Sequence, residues 1–99
     1  MSEKNSILNF LKEHKEELQK KFFIKDIALF GSFARDEASL DSDVDLLVEF
    51  SEDIKEIYKT KKRLKEYLRK HLKRDIDLAN VKYLKSYAKE EILKEAEYA

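Results

Sequence analysis

The chain has 99 residues, no cysteine, one glycine, no proline, and a formal net charge of zero from 21 basic and 21 acidic side chains. This length predicts one domain over 1–99, and 42% hydrophobic content excludes a disordered composition, while 42% charged residues leave a heavily charged surface. The missing cysteines exclude a disulfide framework and a thiolate metal site, and with neither a signal core nor an apolar run near the ~18 residues of a membrane span, the expected location is cytoplasmic, away from any membrane.

Residues 3–21 read as a helix, with Ile7, Leu8, Leu11, Leu18 and Phe22 forming an intermittent apolar stripe. Ile27, Ala28, Leu29 and Phe30 then run unbroken from Asp26 to the only glycine, which predicts a short buried strand over about 25–30. Gly31 lets the backbone turn sharply and lets a ligand approach it closely. Ser32 is placed to cap a short helix through Ala34 and Arg35, turning its hydroxyl and nearby N–H groups toward an anion, for which a phosphate is the obvious occupant. Arg35 either neutralises that phosphate or pairs with Asp36 or Asp41.

A second strand over about 43–50 carries Asp43-Val44-Asp45. Strand alternation puts Asp43, Asp45 and Leu47 on one face and Val44, Leu46 and Val48 on the other, with the two carboxylates roughly 7 Å apart at their Cα atoms. Such a pair suits hard cations such as Mg²⁺, which takes oxygen ligands and keeps part of its shell for water and phosphate. Two such ions about 4 Å apart can activate an attacking oxygen and stabilise a leaving pyrophosphate. Without a cation the two acids would repel each other on a half-buried strand. A bland pair of loop-edge carboxylates is disfavoured by the glycine-serine turn at the matching distance.

Ser51-Glu52-Asp53 resembles a helix start, followed by Ile54, Ile57, Leu64, Leu68 and Leu72 at helical spacing. A third strand is expected over about 74–80 and a closing helix over 82–97 through Leu84, Ala88, Ile92 and Ala96. The predicted class is α+β: a small three-stranded mixed sheet backed by helices, in the order α-β-α-β-α-β-α.

Charge is distributed unevenly. Residues 36–53 hold eight acidic and no basic side chains, whereas residues 55–74 hold ten basic and two acidic ones. Sequence order therefore sets an acid-rich region beside a basic helix, whose Lys61, Lys62, Arg63, Arg69, Lys70 and Lys73 form either a solvated face or an attractor for triphosphate, RNA or an acidic partner. Zero net charge argues against general nucleic-acid binding. His14 and His71 read as separate boundary residues, and Tyr58, Tyr67, Tyr83 and Tyr87 as packing residues.

Gly31-Ser32, the ten-residue spacer and Asp43-x-Asp45 resemble the signature of the DNA polymerase β-like nucleotidyltransferase superfamily. The fuller runs Gly31-Ser32-Phe33-Ala34-Arg35 and Ser42-Asp43-Val44-Asp45-Leu46-Leu47-Val48 most resemble its minimal nucleotidyltransferase branch, commonly the antitoxin half of HEPN/MNT toxin–antitoxin pairs. The resemblance covers about residues 26–80 and implies the nucleotidyltransferase fold. It also implies a third acid in an apolar-Asp-Leu setting, matched by Ile76-Asp77-Leu78, with Asp75 as the competitor on the same strand face. The branch usually has glycine after the arginine, where this chain has Asp36, a residue that tolerates the left-handed conformation but adds charge near the expected triphosphate.

The activity so implied is transfer of AMP from ATP to a tyrosine of a HEPN ribonuclease toxin. Gly31, Ser32 and Arg35 would bind nucleotide, Asp43 and Asp45 would hold two Mg²⁺ ions, and Asp77 would complete the site and help deprotonate the hydroxyl. With no residues left for an acceptor domain, the partner must supply the acceptor, in a homo- or hetero-oligomer. The rival is an antitoxin that acts by occlusion without transfer, which Asp36 favours and three intact acids disfavour. Transfer to a small molecule such as an aminoglycoside lacks an acceptor domain.

Overall fold

A computed structural model of the chain describes residues 3–99. Two helices, α1 (Glu3–Glu13) and α2 (Lys15–Phe22), replace the single one expected. They part at His14, whose backbone leaves helical geometry and whose Nδ1 lies 2.9 Å from the Phe10 carbonyl, competing there with its own backbone N–H. Every member of the predicted stripe is nonetheless buried. The chain continues through β1 (Ile24–Phe30), the one-turn α3 (Gly31–Ala34), β2 (Val44–Phe50), α4 (Ile57–Leu72) and β3 (Ile76–Asn80). A 3₁₀ turn at Val81–Tyr83, α5 (Ser86–Glu95) and β4 (Glu97–Tyr98) complete it.

The sheet is mixed, as expected, but has four strands in the order β3-β2-β1-β4. β1 runs antiparallel to both β2 and β4, and β2 runs parallel to β3 across the α4 connection. The extra strand comes from the tail of the predicted closing helix, which ends at Glu95. Ala28 then pairs with Tyr98, Leu29 with Glu97, and the Ala99 N–H donates to the Ile27 carbonyl at 3.1 Å. Helix α4 starts six residues after Ser51, whose hydroxyl accepts instead from the Asp53 N–H in a local turn.

Strand alternation divides the sheet into two faces. Ile27, Leu29, Val44, Leu46, Val48, Ile76 and Leu78 turn into one core with Leu11, Leu18, Phe22, Leu64 and Leu68 of the helices. Leu11, Leu18, Leu29, Leu46, Leu64 and Leu68 are wholly inaccessible, each contributing about 1.5–3 kcal/mol by burial. The opposite face carries Asp45, Leu47 and Asp77. Because α4 packs on the core face, its basic exterior lies across the sheet from Asp45 and Asp77, and the sequence neighbourhood of acid and base is not a spatial one there.

The side-chain expectations outside the core need two corrections. Tyr67 packs against Phe22 and His71, but Tyr58, Tyr83 and Tyr87 are exposed. His14 and His71 are not separate: their rings lie 6.3 Å apart in one aromatic cluster with Phe10.

Candidate active site

The register of the strands brings the candidate residues together. Phe30 stands opposite Asp45 and Asp45 beside Asp77, so one row across β1, β2 and β3 places Gly31, which follows Phe30, next to Asp45, with Asp77 one strand further along. Adjacent strands are about 4.8 Å apart, so the row is compact.

Gly31 has φ +74°, the left-handed region that a side chain disfavours. A Cβ there would also collide with the Asp45 side chain, reaching within 2.9 Å of its Cγ. The only glycine thus stands where Asp45 leaves no room for any other residue. Ser32 lies inside α3; the residue before the helix is Phe30, no side chain caps it, and the expected Ser32 cap is not formed. Asp36 takes the left-handed conformation at φ 58°, ending the turn as a glycine would, and its carboxylate lies 3.9 Å from Lys4 Nζ.

Asp43 precedes β2 on an exposed loop, Asp45 is partly buried, and Asp77 is exposed on β3. Burial first, then the charges of Asp77 and Asp43, push the Asp45 carboxyl above its ordinary range, with Arg35 opposing. None of the three carboxylates forms a salt bridge among the described residues. They are a hard-oxygen donor set with mutual repulsion, which suits a divalent cation. No three acids or histidines among the described residues stand close enough to form a ready-made ion cage. Asp75 instead pairs with Arg69 at 3.3 Å and lies outside the row.

Arg35 does not meet Asp36 or Asp41. It donates to Glu37 at 3.0 Å and to Glu95 Oε2 at 2.9 Å, and the other oxygen of Glu95 accepts from the Gly31 N–H at 3.1 Å. The two groups expected to receive a phosphate are therefore engaged by one carboxylate from the end of α5. Sequence reasoning missed Glu95, which reads there as an ordinary polar helix position. It also missed Arg74, an unremarked member of the basic run. The exposed basic residues of α4 are spread over its outer surface, and of the basic run only Arg69, in its last turn, and Lys73, just after it, reach the cleft of about 700 Å³ that Asp43 shares with Arg74.

A model of the nucleotidyltransferase domain family matches residues 11–99. The chain is 41% identical over 92 residues to the protein adenylyltransferase MntA of Thermococcus cleftensis, covering 93% of this chain and 91% of that protein. It is 37% identical over 94 residues to a candidate protein adenylyltransferase of Methanocaldococcus jannaschii, covering 90% and 94%. A solved structure described as a candidate minimal nucleotidyltransferase has a TM-score of 0.74 at 33% identity, covering 91% of this chain and 93% of that one. A toxin–antitoxin complex solved with AMP-PNP shares the fold at a TM-score of 0.69 and 19% identity, covering 88% and 70%. No helix of the described residues is long and apolar enough to cross a membrane.

Proposed function

The chain belongs to the nucleotidyltransferase domain family, and on that premise we propose that it is a Mg²⁺-dependent protein adenylyltransferase, acting as one domain, that inactivates a HEPN-type ribonuclease partner. The observation that carries this reading is the row joining Gly31, Asp45 and Asp77, with Asp43 just before it. The names of the Thermococcus and Methanocaldococcus relatives support transfer to a protein, and the AMP-PNP complex supports a nucleotide substrate and a toxin partner.

In this reading Gly31, Ser32 and Arg35 receive the triphosphate, and Asp43, Asp45 and Asp77 hold two Mg²⁺ ions. The ions would supply charge neutralisation at the attacking oxygen and the leaving pyrophosphate. The partner's tyrosine oxygen attacks the α-phosphorus, the bond to the pyrophosphate oxygen breaks, and the phenolic proton passes to a carboxylate, with Asp77 on the exposed edge of the row in that role. The acceptor comes from the partner.

The test is to purify the chain with its neighbouring gene product, add ATP and Mg²⁺, and weigh the intact partner. A gain of one or more AMP units with wild type, and none with Asp43→Asn/Asp45→Asn, is expected. The second reading, inhibition by occlusion alone, is favoured by one observation: Glu95 engages the Gly31 N–H and Arg35. A stable complex of unchanged mass would identify it.

A further inference from the structure

The loop of residues 35–43 between α3 and β2 buries no residue, and its apolar Leu40 is 91% exposed. It carries Asp36, Glu37, Asp41 and Asp43 with no basic residue beyond Arg35. Its first half is tied by Arg35 to Glu37 and Glu95 and by Asp36 to Lys4, and Ala38 packs against the core, but among the described residues the stretch of residues 39–43 has neither apolar burial nor an ion pair of its own side chains. What holds that stretch comes from a residue more than 30 positions away in the chain, at the start of the neighbouring strand. Arg74, just before β3, directs one guanidinium nitrogen at three loop carbonyls: Leu40 at 2.9 Å, Ser42 at 3.2 Å and Ser39 at 3.4 Å.

Its other terminal nitrogen pairs with Glu3 of α1 at 2.7 Å, and the guanidinium carbon Cζ lies 4.9 Å from the centre of the Phe33 ring in α3. The Arg74 side chain is only 16% exposed, and its bond to the Ser42 carbonyl is partly buried, while those to Ser39, Leu40 and Glu3 lie at the surface. Beside it the Val44 N–H donates to the Asp75 carbonyl at 2.9 Å, and the Ser42 hydroxyl and N–H close the loop on Ser39.

We propose that Arg74 is a positioning residue for the carboxylate site: by clamping the carbonyls on either side of Asp41 it fixes where Asp43 enters β2 relative to Asp45 and Asp77. The role deepens the adenylyltransferase reading and rests on it. A lysine cannot replace the fork, since an ammonium on a flexible stem spans neither three carbonyls and a carboxylate at once nor the ring face.

Two measurements test this. Mn²⁺ titration followed by electron paramagnetic resonance should show about tenfold weaker binding in Arg74→Lys than in wild type, with Glu3→Gln, which keeps the carbonyl clamp, unchanged even where its thermal stability falls. Hydrogen exchange of the Ser42 and Val44 amides should be as slow as that of β2 in wild type without added metal, and fast in Arg74→Lys. Equal Mn²⁺ affinity in wild type and Arg74→Lys overturns the positioning role alone, and a wild type that does not bind Mn²⁺ overturns the metal reading and this role with it. Where Arg74→Lys does not fold, the wild-type exchange decides: rapid exchange at Ser42 before metal is added overturns the proposal.

Discussion

Gly31 joins backbone conformation and carboxylate placement at one position. Its φ of +74° would cost an alanine about 1–2 kcal/mol, and the collision with Asp45 adds to this. Gly31→Ala is therefore expected to lower the melting temperature by at least about 5 °C and to remove transferase activity by displacing Asp45. The two contributions can be separated in a double-mutant cycle. In an Asp45→Ala background the carboxylate contacts are gone and only the tight 3.0 Å approach to Cβ is left, so the same Gly31→Ala change should cost clearly less. Equal losses in both backgrounds, measured by thermal unfolding, would show that Asp45 does not need the space. At this scale the sequence was most readable where the geometry is local: the Gly31 turn and the Asp43-x-Asp45 pair are short-range patterns with a physical reason for each residue. Glu95 and Arg74 were not readable, because each acts through partners 60 or more and 32 to 71 positions away.

The elements that sequence periodicity located well are those that bury a face, and the ones it missed bury little. Strands β1, β2 and β3 and helix α4 all contribute to the core, and their apolar spacing marks them. Strand β4 is two residues long and gains its place by hydrogen bonding to β1, a non-local pairing with no periodic trace. Helix α5 buries no residue and is fixed at its ends, through the 3₁₀ turn and β4, with Glu95 as its polar contact to the Gly31 turn. In the proposed reading that contact uses the donors a triphosphate would need, and nucleotide entry would have to displace it. Glu95→Gln weakens the competing anion while keeping the side-chain shape. The expected result in steady-state kinetics is an ATP KM lowered about two- to fivefold with kcat retained, in keeping with the modest strength of an exposed ion pair. A raised KM would instead show that Glu95 supports the loop for binding.

For the molecule as a whole, the core face of the sheet supplies stability and the opposite face gives some of it up. The Asp45 carboxyl is held above its ordinary range by burial and by Asp77 and Asp43. In strongly acid solution it is protonated in both folded and unfolded chains and contributes nothing. As pH rises past the unfolded value near 3.8, the unfolded chain releases its proton first, so folding stability falls until pH exceeds the raised folded value, and the loss persists at neutral pH. Asp45→Asn should therefore be more stable than wild type at pH 7 without added metal, with the difference shrinking toward about pH 3. Mg²⁺ should act in the opposite sense, since a cation bound only by the folded chain relieves the repulsion and stabilises by mass action. Thermal unfolding of both proteins across pH, with and without Mg²⁺, reads both effects: Mg²⁺ should raise the wild-type melting temperature at pH 7, do so progressively less as acidification returns the proton to Asp45, and leave Asp45→Asn unmoved. A less stable Asp45→Asn at pH 7 would mean that the carboxylate is held by favourable contacts, and the site would then be a structural network instead of a charge set apart for a metal.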